Sequence, residues 1–103
     1  MRLSKKQQEF TKCIGLLIIY ATKQGYAMTF GDANASSGHK ENSNHYIRLA
    51  VDFNLFIEGE YIRTSQHPAW GDLHEYWEGL SEHCAPMIIS DANHFSFAHN
   101  GRW

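Results

Sequence analysis

The chain has few cysteines and prolines, and neither sign of charge dominates it. Its 103 residues include two Cys and two Pro, and nine Lys and Arg stand against eleven Asp and Glu. A formal charge of −2 without a basic stripe argues against a nucleic-acid partner, because binding to phosphate backbones requires clustered cations. Cys13 and Cys84 form no CxxC pair. They are therefore expected to be free thiols of a reduced cytosolic chain, with a single bridge between them as the alternative.

A long apolar run is also lacking. The best candidate, residues 13–21, lies between Lys12 and Lys23 and is shorter than the ~20 apolar residues that a membrane span needs. Its apolar residues recur at helical spacing, which indicates the buried face of an amphipathic helix rather than a signal peptide or an anchor. We therefore expect no membrane span.

Histidine, in contrast, is abundant. The chain contains seven histidines, which is a first indication of metal or proton chemistry. Its length allows a single domain that covers residues 1–103. A chain of this size buries about 60–68% of the surface of its unfolded form, so the core is expected to be modest.

The spacing of apolar residues predicts two helices. Residues 4–7, Ser-Lys-Lys-Gln, resemble a capping box, and the helix that follows is expected to end near Gly25. A second helix is expected after Pro68, because apolar residues recur there at spacings of three, four and three. This stripe consists of Trp70, Leu73, Trp77 and Leu80.

Alternating apolar residues predict a small sheet. The expected strands are residues 26–30, 49–57, 61–63 and 94–97. Glu58 and Gly59 form the turn between the second and third strands, and Asp52 stands on the face of its strand that points away from the core. In the last strand Phe95 and Phe97 are expected to point toward the core. The predicted fold class is α+β, with a short, mostly antiparallel sheet and helices packed on it.

Three residues are candidate metal ligands, namely His45, Asp52 and His94. A catalytic zinc site takes three protein ligands from His and carboxylate side chains and leaves a fourth position for water. His45 and Asp52 are an odd number of residues apart, so His45 is expected in the loop or turn before the strand, on the side of Asp52. Asp91, three residues before His94, would reach the open position as a general base.

The segments around these residues resemble a known family. Residues 43–53, SNHYIRLAVDF, resemble the SxHxxGxAxD signature of the zinc D-Ala-D-Ala carboxypeptidase and L-alanyl-D-glutamate endopeptidase family. Residues 91–95, DANHF, are similar to the closing D/E-x-x-H element of that family. More narrowly, residues 42–59, Trp77 and the run DANHFSF resemble the short endolysin-type peptidases of phages and prophages. The resemblance covers roughly residues 7–97.

The resemblance implies a zinc-dependent peptidoglycan peptidase. It assigns His45, Asp52 and His94 to Zn²⁺ and makes Asp91 the catalytic carboxylate. The implied reaction is hydrolysis of the L-alanyl-D-glutamate bond of stem peptides by metal-activated water. Such an enzyme is expected to be a monomer that accumulates in the cytoplasm of the producing cell and acts on the cell wall after release.

The chain departs from the family pattern at three places. Arg48 stands where the family has Gly, Ala35 stands where many members have Arg, and residues 85–89 replace a Trp-Gly-Gly segment. We expect Arg48 and Ser43 to contact substrate. Either Arg48 compensates for the missing arginine or the substrate differs from that of the family. The departures keep three alternatives open: a D-Ala-D-Ala carboxypeptidase, a catalytically inactive zinc-bound structural or binding domain, and an α+β module without metal.

A second histidine motif is incomplete. His74 and Glu75 begin like the HExxH zinc helix, but residue 78 is Glu, so the second histidine is missing. Surface positions of helices are usually polar. We therefore expect His74, Glu75 and Glu78 to form a solvated helix face.

Overall fold

Two helices and a small antiparallel sheet confirm the expected α+β class. The computed structural model describes residues 2–31, 48–101 and 103. The elements are α1 (Leu3–Lys23), β1 (Tyr26–Phe30), β2 (Ala50–Ile57), β3 (Glu60–Tyr61), α2 (Pro68–Glu78), a 3₁₀ turn (Ile89–Asp91) and β4 (His94–Ser96).

Helix α1 begins earlier than the sequence predicts. The carbonyl of Arg2 accepts a hydrogen bond from the amide of Lys6 at 3.1 Å, so Ser4 already lies inside the first turn. No side chain caps the helix at Arg2. The expected capping box at residues 4–7 is therefore wrong. The helix is stabilised instead by its buried face, as tertiary packing usually does.

Strand β2 is the centre of the sheet. It pairs with β1 along Phe53–Ile57, with β3 at Phe56 and Ile57, and with β4 at Ala50–Asp52, always antiparallel. The carbonyl of Asp52 bonds toward β1, whereas the amide of Phe53 bonds to Asn93 just before β4. Successive residues of a strand bond to opposite sides. Strands β3 and β4 therefore lie on the same edge of β2, opposite β1.

The core lies between the two helices and one face of this sheet. Every second residue of the segment that leads into and through β2 is buried, namely Leu49, Val51, Phe53 and Leu55. The stripe of α2 packs on the same core, and Trp77 is fully buried with Phe95 against it. Phe95 and Phe97 point into the core as predicted. Cys13 and Cys84 are free thiols.

Neither helix of the described residues is apolar over the length that a bilayer crossing requires. Helix α1 has 21 residues, and its buried apolar side chains, Phe10, Cys13, Ile14, Leu17 and Ala21, form the face that packs in the core, whereas Leu3, Leu16 and Ile19 are exposed. This is the amphipathic helix that the spacing of residues 13–21 predicts.

Candidate metal centre

Asp52 and His94 face each other across neighbouring strands. They are direct partners in the antiparallel pairing of β2 with β4, although 42 residues separate them in the chain. Side chains of directly paired residues project from the same face of a sheet. Nδ1 of His94 lies 3.1 Å from Oδ1 of Asp52, and the two side chains are only 8% and 16% exposed. The register of one strand pair therefore brings two predicted ligands together.

Asp91 completes a cluster of three. It ends the 3₁₀ turn Ile89–Asp91, and its amide donates to the carbonyl of Ile88 at 2.8 Å. This turn carries the carboxylate back toward the start of β4, so that one ligand atom each of Asp52, Asp91 and His94 lies within 4.8 Å of the others. Carboxylate oxygen and imidazole nitrogen are common ligands of divalent metal ions. The cluster could hold a metal ion.

The spacing of the cluster fits a single ion after a small adjustment. Two ligands of one zinc-like ion at ~2.1 Å each are at most ~4.2 Å apart. The atoms of the cluster lie within 4.8 Å of one another, so the longest separation exceeds that limit by about half an ångström at most. Asp91 is exposed, whereas Asp52 and His94 are nearly enclosed. The exposed carboxylate is the one that is free to move.

The backbone on both sides of Asp52 is held in place. The amide of Gly31 donates to the carbonyl of Asp52 at 2.7 Å, and the amide of Phe53 donates to the carbonyl of Asn93 at 3.0 Å. A Cβ atom at residue 31 would lie 3.2 Å from the carbonyl oxygen of Asp52, which is closer than side chains normally pack. Glycine at position 31 therefore allows the end of β1 to approach the ligand strand.

His74 is buried next to the cluster, which overturns the expectation of a solvated position. It is 2% exposed, and its ring stacks on Phe95 with centroids 4.0 Å apart and planes 8° from parallel. The physical reason is helical spacing: residue 74 follows Trp70 by four and precedes Trp77 by three, so it shares their buried stripe. Glu75 and Glu78 are exposed, as expected.

The side chain of His74 holds the segment that joins two residues of the cluster. Its Nε2 lies 2.7 Å from the carbonyl oxygen of Ala92, which stands between Asp91 and His94, so Nε2 must donate. Burial lowers the pKa of His74 to about 4, and the neutral ring has no hydrogen-bond partner for Nδ1 among the described residues. The sequence did not lead us to place His74 at the site. Its position between Trp70 and Trp77 in the apolar stripe of α2 could have indicated that it is buried.

Of the other predicted site residues, only Arg48 belongs to the part of the chain that the structure describes. His45 and Ser43 lie outside the described residues, as does Ala35. Arg48 is described and has a backbone φ of 56°, in the left-handed region that favours glycine. It lines an apolar groove of about 220 Å³ between α1 and the ends of β1 and β2, together with Phe30 and Ile14.

A different aspartate forms a second polar cluster between the helices. The hydroxyl of Tyr20 donates to Oδ1 of Asp72 at 2.5 Å, and the hydroxyl of Tyr26 donates to Oδ2 at 2.7 Å. These hydrogen bonds raise the pKa of Tyr20 to about 12 and also raise the pKa of Tyr26. The three residues belong to α1, β1 and α2, so the cluster joins those elements.

Comparisons of the chain with known families, proteins and structures found no relative. No family model, no curated protein and no solved structure matches the chain.

Proposed function

We propose that the chain is a zinc-dependent peptidoglycan peptidase that hydrolyses the L-alanyl-D-glutamate bond of stem peptides. One observation carries the proposal. The segments around Asp52 and around Asp91 and His94 resemble the two metal elements of one peptidase family, and these three side chains converge within 4.8 Å. Nothing in a local sequence pattern requires residues 42 positions apart to meet in this way.

Two of the three side chains are nearly enclosed and one is exposed, an arrangement that suits a catalytic metal site. Asp52 and His94 are nearly enclosed and belong to paired strands, so they are suited to hold the ion in a fixed place. His45 is the third ligand that the resemblance assigns. A bound zinc ion would supply Lewis acidity toward the scissile carbonyl and toward water.

Asp91 is suited to transfer a proton from the attacking water to the leaving amine. Its carboxylate is exposed and lies on a short turn rather than in the sheet, so it can reach a water molecule beside the two enclosed ligands. It would accept the proton of the attacking water at a carboxylate oxygen and deliver that proton to the nitrogen of the leaving amine. The chain would act on the cell wall after its release from the cytoplasm of the producing cell.

The backbone at Arg48 agrees with this interpretation. The signature has Gly at that place, and the φ of 56° is one that Gly adopts without strain. A non-glycine residue in this region is uncommon and is retained most often where its side chain has a use. We expect Arg48 and Ser43 to contact the peptide.

The test is the cleavage of a defined peptide. Zinc-supplied protein is incubated with L-Ala-D-Glu-L-Lys, and free L-alanine is followed by chromatography. Asp91→Asn is expected to keep one zinc per chain and to lose activity by about 10²- to 10⁴-fold, because only proton transfer is removed. Retained activity in that variant would remove Asp91 from the catalytic role.

Two matched readouts distinguish the rival functions. Release of free D-Ala from a peptide ending in D-Ala-D-Ala, without release of L-alanine, would indicate a carboxypeptidase. Zinc binding without any cleavage would indicate a metal-bound structural or binding domain. Elemental analysis that finds no metal in zinc-supplied protein would contradict the proposal altogether.

A further inference from the structure

A polar cavity lies beside the metal-binding cluster, in a gap of the sheet. On one edge of β2, β4 pairs with residues 50–52 and β3 pairs with residues 56 and 57. The segment between these two pairings opens into a cavity of about 120 Å³. At ~30 Å³ per water molecule this volume holds a group of about four heavy atoms. A carboxylate with its neighbouring carbon fits that space.

The lining of this cavity is suited to an anion. Arg63, Ser65 and Asn93 bring donor groups, and no acidic side chain is among the lining residues that the structure describes. The guanidinium carbon of Arg63 lies 5.9 Å from the centre of the Tyr61 ring, which is a wall of the same cavity. Arg63 makes no ion pair with any described residue. Arg63 is therefore a cation at a polar cavity that has no acidic partner within residues 2–31, 48–101 and 103.

Two of the N–H donors around the cavity already make hydrogen bonds within the protein. The indole nitrogen of Trp70 donates to the carbonyl of Thr64 at 3.2 Å, and the amide nitrogen of Asn54 donates to Thr29 at 3.2 Å. Ser65 accepts from the amide of Ala92 at 3.4 Å, so its own hydroxyl proton can still be donated. The donors that remain at the cavity are those of Arg63, Ser65 and Asn93, together with the Tyr61 hydroxyl and the second N–H of the Asn54 amide.

The cavity is next to both enclosed ligands. Asn93 immediately precedes His94, and Asn54 lies two residues from Asp52 on the same face of β2. Residues two apart in a strand are separated by about 7 Å, so Asn54 and Asp52 are neighbours on this face. A peptide whose carbonyl meets the cluster can therefore place a neighbouring side group in the cavity.

We infer that this cavity is a carboxylate subsite and that Arg63 determines specificity for an acidic residue next to the cleaved bond. The inference rests on the proposed function. Glutamate carries two carboxyl groups and uses only one of them in the following peptide bond, so one carboxylate remains free. Arg63 would bind this carboxylate as a charge-assisted pair, and Ser65 and Asn93 would donate to it.

The experiment measures binding separately from cleavage. A reduced-amide analogue of L-Ala-D-Glu-L-Lys, which cannot be hydrolysed, is titrated into zinc-supplied protein and compared with the D-Gln analogue, which lacks the charge. We expect the acidic analogue to bind about ten- to a hundredfold more tightly and to shift the side-chain NMR signals of Arg63 and Asn93.

Three variants make the result specific. Arg63→Met, which keeps the length of the side chain, is expected to abolish the preference for the acidic analogue, and Arg63→Lys to retain part of it. Arg2→Met removes an exposed cation far from the cavity and is expected to change nothing. Equal binding of the two analogues by the unmodified protein, or a preference that survives in Arg63→Met, would overturn the subsite.

The outcomes separate this inference from the proposed function. If the natural peptide is not cleaved while the acidic analogue is still preferred through Arg63, the peptidase proposal fails and the carboxylate subsite stands. If the peptide is cleaved but the preference is absent, the peptidase proposal stands and the subsite fails.

Discussion

Two aspartates of this protein stand in opposite surroundings. Asp72 lies between the helices and accepts hydrogen bonds from two tyrosine hydroxyls, one on each carboxylate oxygen. Asp52 lies in the sheet opposite His94, with a second carboxylate, that of Asp91, in the same cluster. In the first site, neutral donors from α1 and β1 satisfy the carboxylate of α2, whereas the second site brings together two carboxylates and an imidazole.

These different surroundings distinguish a carboxylate that stabilises the fold, Asp72, from one that is placed to bind a metal ion, Asp52. A carboxylate that accepts from neutral hydroxyl groups is stabilised without any further charge. Two carboxylates that approach each other repel, and a cation bound beside them offsets this repulsion. We therefore expect changes at the Asp72 cluster to affect folding alone, and changes at the Asp52 cluster to affect metal binding first.

The largest effect is expected from removing an enclosed ligand. His94→Ala should abolish zinc binding, because it removes the imidazole that directly faces Asp52. Metal that binds only the folded state stabilises it by about 2.7 kcal/mol when the free ion is present at 100 times its Kd. Differential scanning calorimetry should therefore show that zinc raises the Tm of the unmodified protein and leaves that of His94→Ala unchanged.

The matched control for this experiment is Asp72→Asn. It removes a carboxylate of the same chemistry from the other cluster, so zinc is expected to raise its Tm as much as that of the unmodified protein. A loss of the zinc effect in Asp72→Asn would show that the two clusters are not separate.

The next effect is expected at His74, which acts through the backbone of Ala92. His74→Phe keeps a ring against Phe95 but loses the hydrogen bond at 2.7 Å, so the segment that carries Asp91 and His94 is less firmly held. Loss of such a supporting contact typically weakens metal binding by about 10- to 100-fold. Zinc affinity is measured by competition with a chelating dye.

His74→Gln provides the rescue, because its amide nitrogen lies near the position of Nε2 and can donate to the same carbonyl. We expect it to recover most of the affinity. If both variants bind zinc like the unmodified protein, His74 only fills the core and does not position the ligands.

A smaller effect is expected from Asp72→Asn on folding itself. The amide nitrogen that replaces one carboxylate oxygen cannot accept the hydroxyl of its tyrosine, so one hydrogen bond to a charged group is lost. We expect a loss of about 1–2 kcal/mol in the free energy of unfolding, measured by urea denaturation. An unchanged midpoint would show that the cluster does not stabilise the contact between α1, β1 and α2.

The smallest effect concerns alkaline pH. The hydrogen bond to Asp72 raises the pKa of Tyr20 from 10.0 to about 12, so the folded state holds this proton more tightly than the unfolded chain does. The resulting stability is complete below pH 10 and is lost as the pH rises toward 12. Tyr20→Phe should flatten this decline in urea denaturation, and a decline of equal slope in the variant would exclude the assignment.

Sequence patterns predicted the elements well and the sheet register poorly. The alternation around Asp52 and the stripe of α2 record which residues contact the core, so they identify β2 and the second helix. No local pattern states that Asp52 pairs with His94. Ligand chemistry made both residues candidates for one site, and the resemblance to a peptidase family strengthened that prediction. His74 was misjudged because its polarity suggested solvent, whereas a backbone carbonyl and an aromatic ring inside the fold satisfy it.

The pairing of β2 with β4 also connects metal binding to the rate at which the fold opens. Asp91 and His94 are close in the chain, but Asp52 joins them only while a contact between segments 42 residues apart is closed. Closing such a loop costs entropy, and native proteins open in local units at different rates. An ion held by side chains of both strands links them while it is bound, so metal binding is expected to make the opening of this strand pair less frequent.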